Sequence, residues 1–158
     1  MCANISSHST PSWDLTDLYA GIDDPKIEED LSHIVIDAAA FETRYKGRIA
    51  QPELTVELLL EAIQAYEKLL ADQYQPQVFA HLLFSTDTTK PERGALLQRT
   101  REINSQASTH LIFFDLEIGK IPADTFSRLS ADVRLSDYNY YVRHQRDLAK
   151  HNLTESQE

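Results

Sequence analysis

Three groupings in the sequence carry side chains that could do chemistry. His33 and Asp37 stand four residues apart, a helical spacing that would put two metal ligands on one face. Two ligands do not complete a metal centre, so the pair reads as part of a solvated acidic helix face. Asp115 and Glu117 supply the two carboxylates that general acid–base work needs, but a step of two along a helix turns them to different faces. The run Ser85-Thr86-Asp87-Thr88-Thr89 offers hydroxyl nucleophiles with no histidine fixed beside them by local sequence. Before Pro91 these residues fit a capping loop instead. The histidines are His8, His33, His81, His110, His144 and His151, and none is followed by glutamate or by another histidine four residues on. A His-Glu-x-x-His zinc helix, which needs both imidazoles one turn apart and a glutamate to activate water, is therefore absent.

Composition narrows the function classes. At 158 residues the chain fits one domain, and a chain of that size buries about 70 per cent of the surface its unfolded form exposes. Cys2 is the single cysteine, which excludes an internal disulfide and reads as a terminal thiol. Residues 1–12 are polar, contain Pro11 and have neither a basic start nor an apolar run, so no secretory signal is visible and a mobile tail is expected. No apolar stretch approaches the roughly 20 residues that span a bilayer. A cytoplasmic location, with no membrane partner, is the expectation. Of the net charge of −10, residues 1–75 carry −9 (14 acidic, 5 basic) and residues 76–158 carry −1 (11 acidic, 10 basic). The acidic front half repels phosphate backbones, which argues against nucleic acid and fits a basic peptide or a basic partner surface.

The elements that must position these residues read as all-α. Glycine is rare, strand-like alternation is scarce, and Ala, Leu, Glu and Gln are frequent. Residues 13–158 are expected to form an elongated bundle of about six helices in antiparallel hairpins. Trp13, Leu15, Leu18 and Tyr19 should anchor a short entry segment. Asp24 before Pro25 opens a first helix with Ile27, Leu31, Ile34, Val35, Ala38, Phe41 and Tyr45 on one face, ended by Gly47. Thr55 caps a second, carrying Leu59, Ile63, Tyr66 and Leu70. Pro76 is expected to start a short third helix through Phe84. One long helix follows near residues 91–120, with a buried seam at Leu96, Thr100, Ile103, Ala107, Leu111, Phe114, Ile118 and Ile121. Pro122 starts a fifth, with Phe126 and Leu129 inward, and Ser136 caps a sixth in which Tyr138, Tyr141, Val142 and Gln145 share a face.

The far end of the long helix is apolar nearly all round. Leu111, Ile112, Phe113, Phe114, Leu116 and Ile118 need cover on several sides; it is expected either from core packing within this chain or, for part of the cluster, from protein outside these residues. Here the sequence resembles the amino-terminal part of the oligoendopeptidase F family of zinc peptidases. The resemblance rests on the run from Ala80 to Thr88, the LLQ of Leu96 to Gln98 and the FFDLEI of Phe113 to Ile118. It extends to WDLTDLY at Trp13 to Tyr19, to Ala38 to Gly47 around Phe41, and to the stretch from Leu135 through Tyr138 to Thr154. It implies a cytoplasmic enzyme that cuts short peptides at a zinc ion held by a His-Glu-x-x-His helix and a later glutamate. Neither appears here, so the resemblance implies a non-catalytic amino-terminal domain: no catalytic or metal residue and no cofactor of its own, zinc in the parent enzyme, and the missing catalytic domain as partner. Leu153 to Glu158 has the pattern of a capped helix start with no helix after it, which agrees with a chain that continues. The competing expectation is a self-contained helical adaptor that binds a partner helix or a basic peptide.

Overall fold

A computed structural model describes residues 13–150. The tail expected over residues 1–12 and the helix start expected after Leu153 lie outside the described residues. Within them the chain is all-α, with no strand: α1 (Pro25–Tyr45), α2 (Val56–Thr86), α3 (Pro91–Gly119), α4 (Ala123–Ser130), a 3₁₀ segment (Val133–Tyr138) and α5 (Asn139–Ala149).

Local chemistry sets most of the boundaries. The Asp24 carboxylate accepts from the Lys26 N–H at 2.9 Å and from the Ala20 N–H at 2.8 Å, closing the preceding turn as well as the helix start. Pro25 at the first helical position loses no hydrogen bond. Helix α1 buries Ile27, Leu31, Ile34, Ala38, Phe41 and Tyr45, the face expected from their spacing. After it Gly47 takes φ +79°, a conformation costly for any residue with a Cβ. Thr55 accepts from the Leu58 N–H at 3.2 Å and starts α2.

Pro76 does not begin a helix. It sits buried inside a single 31-residue α2 that runs on to Thr86. Proline in a helix interior removes one ladder hydrogen bond and disturbs the carbonyls one turn back. Asn104 of α3 bridges the stretch around it, with its Nδ2 donating to the Gln73 carbonyl at 3.4 Å and to Gln77 Oε1 at 2.6 Å. Packing on both sides of the break therefore outweighs the local stop signal.

Helices α1, α2 and α3 form an up-down-up bundle. The end of α1 meets the start of α2 where the Tyr45 hydroxyl donates to Glu61 at 2.7 Å, so the two run antiparallel. Helices α2 and α3 are antiparallel across Gln77–Asn104 and Tyr66–Asp115. Helices α1 and α3 are parallel, tied at one end by Arg99–Glu28 and further along by His110–Glu42 at 2.6 Å. At about 46 Å and 43 Å, α2 and α3 set the length of the bundle. Its centre is aromatic: the Phe41 ring lies 4.8 Å from Tyr45, 5.8 Å from Tyr66, 5.8 Å from Phe113 and 5.2 Å from Phe114, centroid to centroid.

Smaller elements close the ends. The Tyr19 ring is buried 5.0 Å from Phe79 and its hydroxyl donates to Asp30 at 2.7 Å, with Leu15 and Leu18 packed beside it. Trp13, expected to anchor this segment, is 67% exposed. Helix α4 seats on the α1–α2 connection, where Thr125 donates to the Pro52 carbonyl at 3.1 Å and Arg128 to the Leu54 carbonyl at 2.7 Å. Its inward residues are Thr125 and Leu129, with Phe126 half-buried against the core. Ser136 does not cap the last helix. Asp132 accepts from the Arg134 N–H at 2.9 Å and opens the 3₁₀ segment, and α5 follows at Asn139 without a side-chain cap. The tighter 3₁₀ turn lets Leu135 reach the core before α5 begins.

Candidate functional site

The helical period of 100° per residue sorts the apolar cluster at the end of α3. Leu111, Phe114 and Ile118 point into the bundle and are buried; Phe113, also buried, turns towards Phe41 of α1. Ile112 and Leu116 fall one turn apart on the opposite face, 64% and 37% exposed. The cover expected for all six therefore reaches four of them within the described residues.

The two carboxylates between these residues act as braces. Glu117 accepts from the backbone N–H groups of Gly47 at 2.6 Å and Ile49 at 3.0 Å, satisfying donors in the turn that ends α1. Asp115 accepts from the Tyr141 hydroxyl at 2.7 Å and from the Tyr66 hydroxyl at 3.4 Å, joining α3 to α5 and α2. They face different neighbours, as a spacing of two requires, and form no dyad. Burial, reinforced by the Asp115 carboxylate, pushes the Tyr66 phenol up to about 12 and raises that of Tyr141 still further. Both phenols stay neutral donors at physiological pH. Near the middle of α3, His110 Nδ1 meets Glu42, whose carboxyl is held below the usual carboxylate range by hydrogen bonds from Lys46 and then His110.

His33 and Asp37 border a shallow cavity of about 300 Å³ with Lys26, Glu29, Lys68 and Asp72. Among the described residues no three His, Cys, Asp or Glu side chains stand where they could hold one metal ion. The hydroxyl run does not cap α3, whose start has no side-chain hydrogen bond. Ser85 and Thr86 instead donate back to the carbonyls of His81 and Leu83 in the last turn of α2, at 2.8 and 2.7 Å. Asp87 accepts from the N–H and hydroxyl of Thr89 at 3.0 and 2.6 Å, making the tight link to α3.

Two features escaped sequence reasoning. A cleft of about 620 Å³ opens between the entry segment and the end of α2, bordered by Trp13, Tyr19, Phe79, Leu83 and Arg93. Its signal was the aromatic spacing of Trp13 to Tyr19, which reads equally as an anchor. The Tyr66–Asp115–Tyr141 cluster had no local signal, because its members are 49 and 26 residues apart. Compared with known proteins, the chain matches no family model, no curated protein and no solved structure. The class defined on these observations is a helical bundle in which no helix among the described residues is long and apolar enough to cross a membrane.

Proposed function

We propose that this chain is the non-catalytic amino-terminal helical domain of an oligoendopeptidase F-like zinc peptidase. Its task is to wall one side of a deep cleft so that only short peptides reach the catalytic domain, and the reading carries with it a cytoplasmic location. What supports it is the order of the resembling motifs along the chain, together with the placement of one of them, the FFDLEI stretch. Its carboxylates and rings tie α3 to α1, α2 and α5, while Leu116 within it and Ile112 just before it stay outward. Exposed aliphatic side chains a turn apart on a braced helix are what a docked domain would cover. On this reading zinc belongs to the parent's catalytic domain.

Sequencing the gene past the codon for Glu158 tests the proposal. The expected result is an open frame leading to a His-Glu-x-x-His helix and a later glutamate. A stop codon there would remove the peptidase reading in favour of the stand-alone adaptor. The purified 158-residue chain should hold no stoichiometric zinc and cleave no short peptide; either activity in homogeneous material would contradict the assignment.

A further inference from the structure

A further cavity, of about 460 Å³, lies between α2 and the 3₁₀ segment with α5, bordered by Ile63, Leu70, Tyr66, Tyr138, Tyr141, Glu67 and Asp137. Its volume falls within the roughly 300–1,000 Å³ of small-ligand sites. Three phenol rings, two aliphatic side chains and two carboxylates make its wall, and no lysine, arginine or histidine lines it among the described residues. The Asp115 carboxylate stands behind it, accepting from Tyr66 and Tyr141, and Tyr138 donates to Glu67 at 2.8 Å.

What marks this cavity is that its carboxylates stand beside three tyrosine rings. Elsewhere some carboxylates take basic partners, as Glu28 does Arg99, Glu61 Arg44, and Glu57 and Asp132 Arg134, while others such as Asp30 and Glu117 accept from a tyrosine hydroxyl or from backbone N–H groups. Glu67, Asp115 and Asp137 have no basic partner among the described residues, and Glu67 and Asp115 accept only from tyrosine hydroxyls. Aromatic faces attract cations through their negative quadrupole, and the exposed carboxylates beside them add Coulomb attraction moderated by solvent. Leu70, with the buried Ile63 behind it, supplies an apolar surface suited to a methylene stem. Rings, carboxylates and aliphatic floor match one chemistry together.

We propose that this cavity is a binding site for the cationic side chain of a peptide, arginine foremost, with the guanidinium among Tyr66, Tyr138 and Tyr141 and facing Glu67 and Asp137. Arginine is preferred over lysine because its planar, weakly hydrated group stacks on rings and loses less hydration. The site is independent of the peptidase reading, and its failure would leave that reading untouched.

The test is titration of the full 158-residue chain, isotopically labelled, with N-acetyl-arginine amide, following backbone amide shifts by NMR. N-acetyl-citrulline amide, the neutral near-isostere, is the control. The expected result is saturable shifts confined to residues 63–70 and 137–141, with the arginine probe binding roughly tenfold or more tightly than the citrulline probe. Glu67→Gln with Asp137→Asn, both exposed positions, should weaken the arginine probe roughly tenfold and leave citrulline unchanged. Tyr138→Leu should weaken it by a similar factor at unchanged helix content. Equal binding of the two probes, shifts centred elsewhere, or no saturable shift at millimolar probe would each overturn the proposal.

Discussion

Glu117 shows what one side chain contributes at a distance of some seventy residues from its partners. Its carboxylate holds the N–H groups of Gly47 and Ile49 in a turn that has no ladder to use them. The Gly47 N–H is open to water and the Ile49 N–H is part-buried, so Glu117→Ala should lower stability by about 1 kcal/mol in urea titration, and Glu117→Gln by less. Asp132 gives a pH signature. Hydrogen bonds from the Arg134 side chain and then its N–H hold the Asp132 carboxyl down at about 2, against 3.8 unperturbed. A depressed carboxylate contributes stability that is complete above its unfolded pKa and lost as pH falls through the folded one. The difference in urea midpoint between the wild type and Asp132→Asn should therefore be present at about pH 6 and shrink towards zero as pH approaches about 2. A difference independent of pH would show that the carboxylate's charge contributes nothing.

At the scale of elements, the contact of α3 with α5 depends on a missing side chain. A Cβ on Gly119 would stand 2.6 Å from the Ala149 Cβ and 3.3 Å from the Gln145 carbonyl. Neither neighbour is the tip of a flexible chain, so the clash should outweigh the gain in helix propensity. Gly119→Ala is expected to destabilise the protein by about 1–3 kcal/mol, and Gly119→Ala with Ala149→Gly to recover most of it. Failure of the double variant to recover would mean that α5 does not pack where the structure has it. Helix α2 teaches the complementary lesson. Sequence marked Pro76 as a boundary because proline is a strong local stop, yet buried neighbours on both sides keep one helix intact.

For the whole molecule, the aromatic cluster around Phe41 and Phe114 is where the three long helices meet. Phe114→Ala should cost about 3–5 kcal/mol in a single cooperative transition, whereas Ile112→Gln on the outer face should stay within about 0.5 kcal/mol. A large loss from Ile112→Gln in the isolated chain would mean that this face is already covered, for instance by a second copy, and would remove the exposed surface that supports domain docking. Sedimentation of both proteins separates those outcomes.

The all-α class, the start of α1 at Asp24–Pro25, the Thr55 cap, the buried stripe of α1 and the span of α3 were legible in the sequence. Each follows from spacing or from a side chain bonding within its own turn, which are interactions between near neighbours. The continuity of α2 through Pro76, the exposure of Trp13, the 3₁₀ entry to α5 and the tyrosine–carboxylate cluster were decided by tertiary structure alone. Each depends on groups brought together from different elements, and no local pattern encodes which face of one helix another will meet.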